Sequence, residues 1–202
     1  MQLYFWPTSP YVRKVMLVAL ETGIDEQMEL LHASPSSSGH DLQDRNPLGK
    51  IPALITEDGM ALFDSPVICE YLDGLHGGDK MFPESGSARW TALRQQAQAD
   101  GILDAALLRR GEEARRDDLR SKGWIAHQTA AIHRGLADLE TRVDELQEPI
   151  TIGHITIACA LGYLDFRFPS EDWRHIAPNL SDWYAGFAQR ASMQATIPAD
   201  PA

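Results

Sequence analysis

Short apolar segments, separated by proline, glycine and charged residues, dominate the first third of the chain. Four of them predict strands, at residues 3–6, 27–31, 52–56 and 60–63. Apolar residues recur at helical spacing after Ser9-Pro10 and again after Ser65-Pro66. The predicted order is strand, helix, strand, loop or short helix, strand, strand and helix, which makes a compact α/β sheet domain.

The two predicted helices share one way of starting. In each, a serine stands directly before a proline, at Ser9 and at Ser65. Serine is a preferred N-cap, and proline at the first helical position costs little because its missing N–H would lack a partner there anyway. Each helix therefore begins with a hydroxyl group.

Helical patterns replace the strand patterns in the rest of the chain. They predict helices at residues 88–112, 120–147, 155–167 and 180–190. The third of these is apolar nearly all round, which predicts a central buried helix. We therefore predict a sheet domain over residues 1–78, a linker over 79–85 and an all-helical domain over 86–202.

Composition and charge exclude several classes of partner. The 202 residues carry a formal net charge of −11 without a basic patch, so we expect neither nucleic acid nor an anionic membrane as a partner. Cys69 and Cys159 lie in apolar patterns without metal-ligand spacing, so we expect no metal site. No leader pattern or disulfide framework is visible, which predicts a soluble cytoplasmic protein.

Several motifs resemble one family. The segment from Asn46 to Leu54 resembles the approach to the third strand of glutathione S-transferases. The segment from Phe63 to Leu72 resembles their glutathione-binding turn and third helix. Residues 8–15 resemble the serine- or cysteine-type start, and residues 151–160 resemble the capped helix of their second domain. The resemblance covers essentially the whole chain and implies a thioredoxin-like N-terminal domain, an all-α C-terminal domain, a homodimer and glutathione as co-substrate.

Glutathione chemistry requires a thiolate. Lowering a thiol pKa by about two units takes roughly 2.7 kcal/mol. A hydroxyl hydrogen bond and a helix N-terminus, at about 1–2 kcal/mol each, supply this stabilisation. With the resemblance, the position after a strand and at a helix start favours Ser9, and Thr8, Tyr4 and Tyr11 remain alternatives. Related folds carry Cys-x-x-Cys where this chain has Ser9 to Val12, so dithiol redox chemistry is not expected.

The resemblance also implies the residues that hold glutathione. Ile51-Pro52 corresponds to the cis-proline junction, where the backbone of Ile51 pairs with the cysteinyl part of the ligand. Ser65, at a helix start, donates to the γ-glutamyl carboxylate, and Asp64 binds the ammonium group.

Three further residues are weaker candidates from the same resemblance. Lys50 is expected to reach the glycine carboxylate, and His40 is an alternative at that end. Asp100 lies on an acidic continuation of an apolar helix stripe, where family members can contact the glutathione of the neighbouring subunit.

One position departs from the family pattern. Where the family usually has aspartate in the cap that begins at Thr151, this chain has His154. Neutral imidazole accepts a backbone N–H less strongly than a carboxylate does, so we predict a somewhat weaker helix start and a higher melting temperature for His154→Asp.

The resemblance implies an enzyme that conjugates glutathione to a small hydrophobic electrophile, whose identity the sequence does not name. Two other functions stay open. One is a glutathione-binding or protein-interaction module without turnover, and the other is a peroxidase or reductase that works through bound glutathione.

Overall fold

The computed structural model describes residues 1–33, 41–147 and 149–200. The chain forms two compact units. The first comprises Met1–Glu84 together with the segment that begins at Ala191, and the second comprises Ser85–Arg190.

The first unit contains, within the described residues, a four-stranded sheet of β1 (Gln2–Phe5), β2 (Glu29–His32), β3 (Ala53–Ile55) and β4 (Ala61–Leu62). The order across the sheet is β2-β1-β3-β4. β2 runs parallel to β1, whereas β3 is antiparallel to β1 and β4 is antiparallel to β3.

The described helices are α1 (Pro10–Thr22), α2 (Leu42–Arg45), α3 (Ser65–Gly74), α4 (Gly86–Glu113), α5 (Lys122–Glu140), α6 (Ile152–Arg167), α7 (Pro178–Phe187) and α8 (Ala191–Ala195). Single 3₁₀ turns lie at Asp25–Gln27, Asp117–Leu119, Val143–Glu145 and Trp173–His175. The order of strands and helices in the first unit confirms the predicted order. No described helix has an apolar stretch long enough to cross a bilayer.

Local signals explain the limits of α1. The Ser9 hydroxyl accepts the Val12 N–H at 3.3 Å, and Gly23 ends the helix in the left-handed region at a φ of 70°. Tyr4, Ala53 and Leu42 of α2 pack into one apolar cluster on one face of the sheet. Leu3 and Leu54 point to the other face, because side chains alternate along a strand, and both are fully buried.

The last helix belongs to the first unit. The guanidinium group of Arg13 on α1 donates to the carbonyl oxygen of Met193 at 3.2 Å and to the Thr196 hydroxyl at 3.3 Å. Ser192 also hydrogen-bonds to Glu21. The sequence-based division placed this segment in the helical domain because no local pattern shows that it packs on α1.

A buried carboxylate fixes the chain that leaves α3. Asp73 accepts the backbone N–H groups of Met81 at 2.9 Å and Phe82 at 3.0 Å, and His76 Nε2 lies 3.0 Å from the same carboxylate. Lys80 donates to the carbonyl oxygens of Asp73 and His76. We call Asp73, His76 and Lys80 the Asp73 clasp. Because of it Phe82 is buried.

In the second unit, α4 packs along both α6 and α5. Every residue of α6 from Ile152 to Leu164 is buried, which confirms the predicted central helix. Gly153 permits this packing, because a Cβ at that position would lie 2.3 Å from Gln95 Oε1.

α5 ends earlier than the apolar pattern predicts, at Glu140 instead of residue 147. The Thr141 hydroxyl donates to the Asp138 carbonyl at 2.8 Å. The Arg142 N–H donates to the Leu139 carbonyl, three residues back, and not to the carbonyl four residues back as in an α-helix. The chain therefore tightens into a turn. The Glu140 carboxylate then accepts the backbone N–H of Leu180 at 2.9 Å and so stabilises the start of α7.

His154 completes the cap of α6 with both ring nitrogens. Its Nδ1 accepts the Thr151 N–H at 3.1 Å, and its Nε2 lies 3.1 Å from the Gln147 carbonyl oxygen, to which it donates. An aspartate can make the first of these bonds but not the second.

Asp73→Asn replaces one acceptor oxygen by an NH₂ group, which leaves a buried backbone N–H without its acceptor. We expect the free energy of unfolding to fall by about 1–3 kcal/mol. Denaturant titration measures this, with Asp79→Asn, an exposed aspartate nearby, as the charge-matched control. Equal stabilities of the two variants would contradict the role of the clasp.

The second bond of His154 reverses the stability change expected from the sequence. We expect the free energy of unfolding of His154→Asp to be about 1–2 kcal/mol lower than that of the parent, because the hydrogen bond to Gln147 and the packing of the imidazole ring are both lost. Thermal denaturation checks this, with the uncharged His154→Asn beside it. A melting temperature of His154→Asp equal to or higher than that of the parent would support the expectation from the sequence that His154 weakens the helix start.

Candidate functional site

The register of the sheet brings three chain segments to one place. Tyr4 in β1 pairs with Ala53 at the start of β3, and Leu62 at the end of β4 pairs with Leu54. The residues after β1, before β3 and after β4 therefore lie at the same end of the sheet. We call this place the sheet end. Both α1 and α3 begin there.

Ser9 is the hydroxyl residue that caps α1. Its backbone N–H donates to the Trp6 carbonyl at 3.1 Å, and its side-chain oxygen accepts the Val12 N–H. The hydroxyl proton of Ser9 has no acceptor among the residues that the structure describes. Thr8 precedes the cap and lies in a turn. Of these two neighbouring hydroxyls, therefore, Ser9 combines a helix N-terminus with an available donor.

Tyr4 uses its hydroxyl group elsewhere. The side chain is buried, and its hydroxyl donates to the carboxylate of Asp41, which Arg45 also contacts at 3.3 Å. Burial, followed by the hydrogen bond and the charge of Asp41, raises the pKa of Tyr4 to about 12. Its one proton is thus committed, which makes Tyr4 a poor donor to a ligand. The other tyrosine candidate, Tyr11, lies in the first turn of α1 with Lys14 Nζ 6.0 Å from its ring centroid.

The approach to β3 is fixed by one amide. The Asn46 side chain donates to the Lys50 carbonyl at 2.8 Å and accepts the Leu48 N–H at 3.0 Å. Between them, Gly49 takes a φ of 61°, which favours glycine. The Ile51–Pro52 peptide bond is cis, as predicted. Sequence reasoning gave Asn46 no role, although an asparagine before proline in a turn often makes such a bond.

The start of α3 differs by one residue from the sequence expectation, because Asp64 is its N-cap and Ser65 is its first helical residue. The Asp64 carbonyl accepts the Ile68 N–H at 3.1 Å, while its exposed carboxylate makes no cap bond. Ser65 is buried with 2% of its surface exposed, and its hydroxyl has no hydrogen bond to a described residue. A carboxylate, a hydroxyl and a helix N-terminus thus lie together, which suits a ligand with an ammonium and a carboxylate group.

The remaining candidate ligand-binding residues lie in different parts of the chain. Lys50 is exposed directly before Ile51. His40 lies outside the described residues. Asp100 is partly buried on α4, in the second unit, and is therefore not among the residues that the sheet register brings together. Within the described ranges, no group of histidine, cysteine and acidic residues is arranged to hold a metal ion.

Two family models match the chain. They are the glutathione S-transferase N-terminal domain, over residues 8–75, and the glutathione S-transferase C-terminal domain, over residues 122–186. The uncharacterized GST-like protein YibF of Escherichia coli (strain K12) is 34% identical over 194 residues, which cover 95% of this chain and 95% of that protein. This chain belongs to the glutathione S-transferase family.

Solved glutathione transferase structures share the whole fold. A family member from Pseudomonas fluorescens Pf-5 with bound glutathione is 46% identical, with a TM-score of 0.94 and coverage of 98% of each chain. A structure from the same source with bound S-(propanoic acid)-glutathione is 44% identical, with a TM-score of 0.90, and covers 98% of this chain and 100% of that one. The predicted fold class, a thioredoxin-like domain followed by a helical one, is thereby confirmed.

The raised pKa of Tyr4 predicts a loss of stability in alkali. A group whose pKa is higher in the folded state stabilises the fold fully below its unfolded pKa, about 10 for tyrosine, and loses this contribution as the pH rises towards 12. We expect Tyr4→Phe to flatten the fall of the unfolding free energy over that range, whereas Tyr11→Phe leaves it steep. Denaturant titrations in steps from neutral pH upwards measure it. Equal slopes for the parent and Tyr4→Phe would show that the Tyr4 phenol ionises normally.

Proposed function

We propose that this glutathione S-transferase family member binds reduced glutathione at the sheet end, stabilises its thiolate and conjugates it to a small hydrophobic electrophile. The observation that carries the proposal is the double use of Ser9. Its oxygen accepts the Val12 N–H, while its proton remains available. A serine hydroxyl has two lone pairs and one proton, so the cap and a hydrogen bond to sulfur are compatible.

The proposed reaction needs one proton transfer and one new bond. The glutathione thiol releases its proton to solvent, and the Ser9 hydroxyl and the N-terminus of α1 stabilise the resulting anion. A sulfur lone pair then forms the C–S bond. The electrophile either takes up the electron pair and a proton, or loses a leaving group that departs with its bonding pair.

The other residues of the sheet end match the remaining groups of glutathione. The Ile51 backbone pairs with the cysteinyl amide, Ser65 and the start of α3 receive the γ-glutamyl carboxylate, and Asp64 receives the ammonium group. Lys50 supplies a cation for the glycine carboxylate. The glutathione and S-(propanoic acid)-glutathione bound by the Pseudomonas fluorescens neighbours support a site that accepts both the thiol and its S-substituted product.

The proposal extends to the setting of the protein. We place it in the cytoplasm, where glutathione is abundant, as a homodimer without a metal cofactor that acts in detoxification of electrophiles. Asp100 is proposed as a contact to the glutathione of the neighbouring subunit.

A second function, a glutathione-binding module without turnover, is favoured by the same cap. Because Ser9 stabilises the start of α1 in any case, a serine at this position is useful to the fold even if no chemistry follows.

Calorimetric titration with reduced glutathione, together with ultraviolet difference spectra of the thiolate, separates the two functions. We expect the parent to bind and to form thiolate. Ser9→Ala should bind within about threefold of the parent, while the bound thiol pKa rises by about one unit, the equivalent of roughly 1.4 kcal/mol. Thr8→Val is the matched control and should behave like the parent.

Two further variants separate the roles of the Ser9 cap, the Ser9 hydroxyl and Ser65. Ser9→Gly keeps most of the cap, because glycine there costs only a few tenths of a kcal/mol, yet it removes the hydroxyl, so it should also lose the thiolate. Ser65→Ala should weaken binding about tenfold with little change in stability. Binding without any thiolate in the parent would favour the binding module, and no binding at all would refute the site.

A further inference from the structure

A cavity of about 390 Å³ opens in the second unit, between the ends of α4 and α6 and the middle of α5. Apolar side chains form most of its wall, namely Ile132, Leu136, Leu164, Phe168, Trp173 and Ile176. Its polar side chains are Arg109, Thr129, His133, Glu171 and Asp172. The volume lies within the usual range of small-molecule sites, about 300–1,000 Å³.

The single buried cation of the cavity is fully matched. Arg109 donates to Glu171 through both terminal nitrogens, one of them at 2.8 Å, and through Nε to Glu113 at 2.8 Å. The Arg109 guanidinium carbon also lies 4.4 Å from the centroid of the Phe168 ring, so one guanidinium face is covered. Two carboxylates thus neutralise one guanidinium, and Arg109 offers little attraction to an anion.

The mouth of the cavity therefore carries an excess of negative charge. The hydrogen bond from Arg109 holds the pKa of Glu171 below its usual range, so this half-exposed carboxylate is ionised at neutral pH. Asp172 adds a second carboxylate at the mouth, with the exposed His175 Nε2 3.1 Å away. The nearby Arg174 guanidinium, which lies over the Trp173 ring, is itself paired with Asp165 at 2.8 Å, so the carboxylates here still outnumber the guanidinium groups. A mouth with surplus carboxylates above an apolar wall favours a ligand with a cationic head and an apolar body.

We propose that this cavity binds a small hydrophobic amine in its protonated form. The apolar body occupies the wall between Leu136 and Phe168, and the ammonium group lies beside Glu171 and Asp172. The site is confined to the second unit, so it is independent of the glutathione function proposed above.

Three probes of similar shape test the charge preference by calorimetry. They are 2-phenylethylamine, the neutral 2-phenylethanol and the anionic 3-phenylpropanoate. We expect the amine to bind at least fivefold more tightly than the alcohol and the carboxylate to bind most weakly. Equal binding of the amine and the alcohol would overturn the proposal.

Variants of the cavity wall test whether the amine binds in this cavity. Asp172→Asn and Glu171→Gln should each weaken amine binding about fivefold, whereas Asp118→Asn, which changes the net charge equally outside the cavity wall, should have no effect. Thr129→Phe fills the mouth from the half-exposed side of α5 and should abolish binding. The proposal fails if Thr129→Phe binds the amine like the parent, or if Asp118→Asn weakens binding as much as Asp172→Asn does. Because Asp172→Asn leaves the Arg109 ion pairs intact, the test does not depend on whether Glu171→Gln folds.

Discussion

The pairing of β3 with both β1 and β4 is the constraint on which the candidate site depends. Since both pairings are antiparallel, the chain leaves β1 and β4 at the end where it enters β3. Ser9, Ile51 and Ser65, which are far apart in sequence, therefore meet at the sheet end. A shift of one residue in the register of either pairing would move every side chain of that strand to the opposite face of the sheet. The apolar cores on both faces therefore fix the register, and with it the position of the site.

At the sheet end the same groups serve the fold and the proposed chemistry. The Ser9 oxygen satisfies a backbone N–H of α1, and its proton is left for a ligand. Asn46 holds the carbonyl of Lys50 and thus the chain that leads to Ile51. Tyr4 is occupied by Asp41, which leaves the hydroxyl of the helix start as the better donor. Groups that complete local structure decide which donors remain available.

In the helical unit, charge follows a different rule. This chain is acidic overall, and Arg109 and Arg142 each pair with two carboxylates, Arg109 with Glu113 and Glu171 and Arg142 with Asp138 and Glu145. Such pairing allows a guanidinium group to be buried beside Phe168. It also means that a cavity with an arginine in its wall has a mouth with negative character.

The sequence by itself determined the features that depend on neighbouring residues. Ser-Pro starts, the helix end at Gly23 and the apolar periodicities predicted the elements of both units, and the motif resemblance predicted the cis bond before Pro52. Only the tertiary structure decided the features that join distant residues: the contact of Arg13 with Met193, the burial of Phe82 by Asp73 and the pairing of Arg109 with Glu171. It also showed that His154 has a second partner in Gln147. The physical reason is range, since a cap or a turn is set by bonds within a few residues, whereas the partner of a buried polar group is set by the packing of the whole unit.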